Sequence, residues 1–217
     1  GKTGSVNNPE AIMTSQNNEL DQILQGDCLE LMKDIPDGSV DMILADLPYG
    51  TTACKWDTII PFEPLWEQYK RIIKPNGAIV LTASQPFTSA LVMSNPKMFK
   101  YGMVWIKPNG TSPFKAKYMP MTRHEDVLVF SSGRTTYNPQ METGKAYKWN
   151  SQRSGGEASS ITQSRQTPID NSGTRYPTGL LHFKQERGLH PTQKPVALFE
   201  YLIKTYTLEG ETVLDNC

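Results

Sequence analysis

Asp46, Leu47, Pro48 and Tyr49 stand together in "LADLPYG", Leu44 to Gly50, at the end of the apolar run "VDMILA". A carboxylate, a stiff turn and a phenol in that place have a chemical use. Pro48 disfavours the helical conformation at Leu47, which holds the backbone extended there and fixes the direction of its carbonyl. The Asp46 carboxylate and the Leu47 carbonyl are then two acceptors side by side, with an aromatic ring next to them. The exocyclic amino group of a nucleobase calls for that combination. Its lone pair is delocalised into the ring, and accepting both N–H bonds draws the pair back onto nitrogen. Tyr49 would lie against the face of the base, an interaction of about 1–3 kcal/mol.

The elements that must position these residues follow from periodicity. "QILQGD" reads as a short strand ending at Asp27, which caps the helix "CLELMKDI", where Leu29, Met32 and Ile35 recur at helical spacing. "VDMILA" is a compact apolar strand. "FEPLWEQYKRII" puts Phe62, Leu65, Trp66, Tyr69 and Ile73 on one helical face, and "KPNG" stops it. "AIVLTA", "YGMVWIK", "DVLVFS" and "ETVLD" read as further strands, "PFTSALVMS" and "VALFEYLIKTY" as helices. The alternation predicts an α/β fold with a doubly wound, mostly parallel sheet covered on both faces. In such a sheet ligands sit beyond the carboxyl ends of the strands, where strand order reverses, and Asp46 lies at such an end. From Ser131 to Gly188 the period dissolves into Ser, Thr, Gly, Gln and Arg. The predicted organisation is a tail over 1–20, a catalytic half over 21–130, an insertion over 131–188 and a closing helix and strand over 189–217.

Composition narrows the classes. With 217 residues, 37% hydrophobic and 20% charged, the chain can build one sizeable core, which excludes general disorder. The absence of a membrane-length apolar stretch or signal-peptide block predicts a cytoplasmic protein with no membrane partner. Cys28, Cys54 and Cys217 are odd in number and lack ligand spacing, so they read as reduced thiols, with no metal expected. The net charge of zero hides an uneven distribution. Gly1 to Pro96 holds 6 basic against 12 acidic residues, Lys97 to Lys194 holds 15 against 6, and Pro195 to Cys217 holds 1 against 4. A basic middle can follow a phosphate backbone, or it can be a solvated charge-rich insertion. No "GxxxxGK" or "GxGxxG" occurs, so phosphate-cradling functions lack support.

"DLPY" resembles the Asp-Pro-Pro-Tyr signature of amino-group DNA methyltransferases, which use S-adenosyl-L-methionine to methylate adenine N6 or cytosine N4. "QGDCLELMKDIPDGSVDMILADLPYG", "WIK", "RHEDVLVF", "HPTQKPVALFEYLI" and "VLDNC" follow in the order of the circularly permuted beta class. That resemblance implies a Rossmann-like methyltransferase fold, with Asp46, Leu47, Pro48 and Tyr49 as the catalytic floor. It implies cofactor contacts from Asp27, Cys28, His190, Thr192, Lys194 and Asp215, and a base pocket bordered by Trp56. Asp27 could equally be a helix cap alone, and His190 could simply fix the turn before its helix. The partner implied is double-stranded DNA with the target base flipped out of the stack, and relatives often pair as homodimers. Candidate contacts to DNA are Lys107, Arg134, Lys148, Arg153, Arg165 and Arg175.

Asp at the first motif position leans toward adenine N6, with cytosine N4 the alternative. Leu47 replaces the family's first proline, which keeps the carbonyl, frees φ and adds an N–H. The family continues after "VLD" with a glycine-rich turn, a helix and an acidic strand end for the cofactor ribose. "TVLDNC" stops mid-motif, so a truncated record is the expectation, against a partner-completed site or a degenerate nucleic-acid-binding module without activity. A restriction-modification, bacteriophage or orphan setting each fits.

Overall fold

A computed structural model of the chain describes residues 22–51, 54, 57–111, 113–149, 169–186 and 193–217. The tail over 1–20 and the candidate residues Trp56, Arg153, Arg165, His190 and Thr192 lie outside these described residues. The chain divides into two compact units, Gly1–Asn138 with Gly179–Cys217, and Pro139–Thr178.

The first unit is a six-stranded sheet in the order β10-β1-β2-β4-β3-β9. Its strands are β1 (Val40–Ala45), β2 (Ile73–Ala83), β3 (Phe99–Thr111), β4 (Thr122–Phe130), β9 (Leu180–His182) and β10 (Val213–Leu214). β1 runs parallel to β2 and to β10, and β3 runs parallel to β9. Only β4 is reversed, pairing antiparallel with β2 and with β3. The last strand of the chain therefore lies beside the first. The crevice outside the carboxyl ends of β1 and β10 is the point where strand order reverses.

Period-two alternation assigns each face of the sheet its own core. Val40, Ile43 and Ala45 of β1 and Ile79 and Leu81 of β2 pack with Leu65, Trp66, Tyr69 and Ile72 of α2 (Phe62–Ile72) and with Phe87 and Leu91 of α3 (Phe87–Ser94). Met42, Leu44, Ala78 and Val80 face the other way, onto Leu198, Leu202 and Tyr206 of α4 (Val196–Tyr206). None of the described helices is long and apolar enough to cross a membrane.

Three segments differ from the sequence reading. "QILQGD" forms no strand beyond an isolated bridge at Ile23, because Ile23 and Leu24 are exposed and have no apolar face to pack against. Asp27 does cap the short α1 (Cys28–Leu31), accepting from the Leu29 N–H at 2.8 Å. "KPNG" does not separate α2 from the next strand: it lies inside β2, as an irregularity between the pairs Val40↔Ile73 and Met42↔Ala78. Gly77 is required there, since a Cβ would stand 2.8 Å from the Asp41 carbonyl. β3 and β4 also run well beyond their apolar stretches, into a long hairpin.

The second unit holds two antiparallel pairs, β5 (Glu142–Thr143) with β8 (Thr174–Arg175), and β6 (Tyr147–Trp149) with β7 (Ile169–Asn171).

Candidate active site

β1 delivers Asp46 to the carboxyl edge of the sheet, and the following residues are fixed by local bonds. Leu47 is 3% exposed and belongs to the core under α2 and α3, so the residue that replaces the family's proline acts as an apolar anchor. Gly50 has φ +66°, a conformation other residues adopt only at a cost. The buried Asp57 closes the turn, accepting from Gly50 N at 2.8 Å and Thr51 N at 2.9 Å.

Asp46 is bonded twice on one oxygen and once on the other. Its Oδ1 accepts from the Tyr49 hydroxyl at 2.8 Å and from Thr82 Oγ1 at 2.5 Å, while Oδ2 accepts from Lys194 Nζ at 2.7 Å. A carboxylate offers about four lone-pair positions, so three donors leave one acceptor position, on Oδ2. The side chain is 30% exposed, which makes that position reachable. Burial foremost, with the charges of Asp46 and Glu125, pushes the Tyr49 phenol far above its ordinary value. The hydroxyl consequently stays a donor at every working pH. The Tyr49 ring stacks on Phe87, with centroids 5.3 Å apart and planes at 25°, and Lys194 Nζ stands 5.4 Å from its centroid.

Lys194 also lies 3.1 Å from Glu125 Oε2, an electrostatic contact without hydrogen-bond alignment. The other oxygen of Glu125 accepts from Lys107, whose ammonium lies 5.1 Å from the centroid of the Trp105 ring. Asp46, Lys194, Glu125 and Lys107 thus form a ladder of alternating charge across one edge of the sheet, at the carboxyl ends of β1 and β3 and the amino end of the reversed β4. Lys194, Glu125 and Lys107 are 10–12% exposed. Periodicity singled out neither Thr82 nor Glu125. Glu125 is the acidic residue of "RHEDVLVF", and a carboxylate entering an apolar strand was the available signal.

Asp215 follows β10, across the crevice from Asp46. Desolvation pushes its carboxyl up to about 6, the Cys217 N–H that donates to it partly offsets this, and the Asp46 charge adds to it. Tyr69 of α2 donates to Asn216 Oδ1 at 2.5 Å and so ties this segment to the core. Asp27 and Cys28 open α1, and Cys28 packs on the same core as Met32 and Tyr69.

The basic candidates scatter. Lys107 is buried in the ladder rather than open to a phosphate. Arg134 is exposed at the far end of the sheet, where Thr136 N donates to Asn76 O at the start of β2. In the second unit Lys148 pairs with Asp170 at 3.0 Å, both exposed. Arg175 is occupied within that unit: it donates to Asn171 Oδ1, Thr174 O and Lys145 O, and lies over the Tyr147 ring. Among the described residues no group of three or more His, Cys, Asp and Glu could hold a metal.

The family model described as DNA methylase, of the N6/N4 type, matches residues 40–216. The type II methyltransferase M.HpaI of Haemophilus parainfluenzae is 26% identical over 213 residues, covering 89% of this chain and 62% of that protein. The DNA adenine methyltransferase YhdJ of Escherichia coli K12 is 28% identical, covering 91% of this chain and 71% of that protein. Among solved structures, the M1.HpyAVI–SAM complex superposes with a TM-score of 0.53 at 21% identity, covering 88% of this chain and 79% of that one. The cytosine-N4-specific PvuII DNA methyltransferase gives 0.57 at 16%, covering 89% and 73%. These likenesses establish a Rossmann-like methyltransferase fold, and the family match runs from β1 through the residues after β10. The chain belongs to the N6/N4 DNA methylase family.

Proposed function

We propose that this chain transfers a methyl group from S-adenosyl-L-methionine to the exocyclic amino group of a base in double-stranded DNA, adenine N6 foremost. The observation that carries the reading is the Asp46 carboxylate: locked at Oδ1 by Tyr49 and Thr82, with an acceptor position left on Oδ2 at the strand-order reversal. Bound in that crevice, the cofactor supplies an activated methyl group on a sulfonium. The residues suited to hold it are Asp215, a carboxyl with a desolvated side that an ammonium would satisfy, together with Asp27 and Cys28 at the start of α1.

The protein's own part is orientation. Asp46 accepts an N–H of the target amine, which localises its lone pair, and the Leu47 carbonyl is the second acceptor. Pro48 restrains the backbone between them. Tyr49, already stacked on Phe87, extends an aromatic wall toward the base. A base inside a duplex cannot reach Asp46, so it is flipped out of the stack, which costs a few kcal/mol. Lys194 must yield its place on Oδ2 or share it when the amine arrives, and Glu125 is the carboxylate that takes up the ammonium. The Pro139–Thr178 unit is assigned to target recognition, with Lys148 as a phosphate contact.

The test uses tritiated cofactor and duplex DNA, followed by nucleoside chromatography. Label should appear in N6-methyl-2′-deoxyadenosine, and Asp46→Ala should lower transfer by about a thousandfold. Cofactor binding by calorimetry should persist in that variant. Near-normal turnover without Asp46 refutes the reading, and label in N4-methyl-2′-deoxycytidine reassigns the base.

A further inference from the structure

The hairpin joining β3 to β4 leaves the carboxyl edge of the sheet at the ladder itself. Trp105 pairs with Glu125 and Ile106 with His124, and the arms stay paired out to Thr111 and Thr122. From Lys107 to Thr111 the arm runs about 13 Å past that edge, more than the roughly 8.5 Å depth of a major groove. Its root is braced: Arg123 donates to Pro108 O at 2.8 Å, and Thr111 Oγ1 donates to Thr122 O at 3.1 Å. Its tip is built as well, with Ala116 N donating to Pro113 O, and Tyr118 N and Met119 N donating to Lys115 O.

This ordered tip turns its apolar side chains outward. Phe114 is 92% exposed and Tyr118 87%, the two most exposed large hydrophobic side chains among the described residues. Met119 and Met121 beside them are exposed too. Large apolar groups held in water on a braced arm point to a partner. The charge names its chemistry. Lys115 and Lys117 alternate with the aromatics, and the hairpin from Pro108 to His124 contains no Asp or Glu against three Lys and Arg. Basic residues interleaved with aromatics fit a polyanion with stacked flat faces.

We propose that the β3–β4 hairpin is a wedge for duplex DNA: Phe114 and Tyr118 enter the base stack beside the nucleotide that is extruded toward Asp46, and Lys115 and Lys117 hold the flanking phosphates. The inference rests on the DNA-modifying reading above. Apolar side chains pushed between base steps unstack them and open the duplex. An aromatic that fills the gap left by the flipped base stabilises the open state that the site requires.

Closed circular plasmid relaxed by topoisomerase I in the presence of the full chain reads insertion directly, since a wedge unwinds the duplex and shifts the topoisomers. The parent protein should shift them, and Phe114→Ala/Tyr118→Ala should abolish the shift and weaken plasmid binding about tenfold or more. Lys115→Gln/Lys117→Gln should keep the shift at saturation while the salt slope of binding falls by about two. All four positions are exposed, and circular dichroism verifies that the variants fold. The wedge is overturned if the parent gives no shift or if the aromatic pair can be removed without effect. It is also overturned if removal only converts a dimer to a monomer, which would make the tip a protein interface. Methyl transfer separates this outcome from the catalytic reading: a parent that shifts topoisomers without transferring label refutes catalysis and leaves the wedge, and a Phe114→Ala/Tyr118→Ala variant that transfers label as well as the parent does the reverse.

Discussion

At the amino edge of the sheet, charged side chains bond to main-chain groups as well as to one another; the four charged side chains of the ladder at the carboxyl edge bond only to other side chains. Arg71, at the end of α2, donates to Met32 O at 2.6 Å and Ile35 O at 2.7 Å, which fastens the turn before β1. Asp41 accepts from Lys74 Nζ at 2.7 Å and from Thr212 N at 3.0 Å, joining β1, β2 and the approach to β10. Ser131 donates to Gly77 O. All of these bonds except the Lys74–Asp41 pair satisfy a main-chain group that folding would otherwise leave unpaired. The opposite edge holds Asp46, Lys194, Glu125 and Lys107, four ionised groups whose partners are side chains able to change rotamer. An edge tied through backbone can only hold or break. An edge tied through side chains can exchange partners, which an acceptor for a visiting amine has to do.

Substitutions at the two edges should separate these roles, beginning with Glu125. Glu125→Gln leaves the buried Lys107 ammonium without its counter-charge, and removing one member of a buried ion pair costs about 3 kcal/mol or more. Chemical denaturation should show that loss. Methyl transfer, measured where the variant is still folded, should fall about tenfold or further, because the ammonium that Glu125 shared now rests wholly on Asp46. Unchanged transfer would make the ladder a structural device like its counterpart at the other edge. Arg71→Ala removes two charge-assisted bonds to carbonyls and should cost about 2 kcal/mol. Its transfer rate at saturating cofactor and DNA should match the parent. A rate loss larger than the folded fraction accounts for would show that the amino edge reaches the site.

The apolar strands and long helices were legible in the sequence because their burial is periodic: "VDMILA" is β1 residue for residue, and "VALFEYLIKTY" is α4. The turn after β1 was legible because Pro48 restrains the backbone before it. The ladder was not. Glu125 and Lys107 sit in strands whose apolar neighbours explain those strands without them, and only the pairing of Trp105 with Glu125 brings the two side chains together. Lys194 was read as a cofactor contact, and its bond to Asp46 spans 148 positions of sequence that no period connects. The hairpin was invisible for a related reason. Beyond Ile106 and His124 its arms are held by each other and not by the core, so no hydrophobic alternation marks them. Arg175 shows what composition leaves out: a basic residue in a basic stretch suggests phosphate, and its guanidinium here is engaged with carbonyls and an amide of its own unit.

Asp215 tests to which kind of edge the end of β10 belongs. Its carboxyl titrates near 6 in the folded chain, against an ordinary 3.8. Between those values the folded state binds more protons than the unfolded one, so stability falls as pH rises from about 4 to 6 and stays lower above that. Asp215→Asn removes this dependence and should be the more stable chain at pH 7. The residue is open to solvent on one side, so the gain should stay below about 1 kcal/mol. Thermal midpoints at pH 4 and pH 7 measure it. A cation arriving beside the carboxyl favours its ionised form. Binding of S-adenosyl-L-methionine at pH 5.5 should therefore release part of a proton, read by calorimetry in buffers of different ionisation enthalpy, and release none at pH 8. Proton release lost in Asp215→Asn would group this carboxyl with Asp46, as one that exchanges partners. Binding without proton release at either pH would group it with Asp41, as one that only holds the strands.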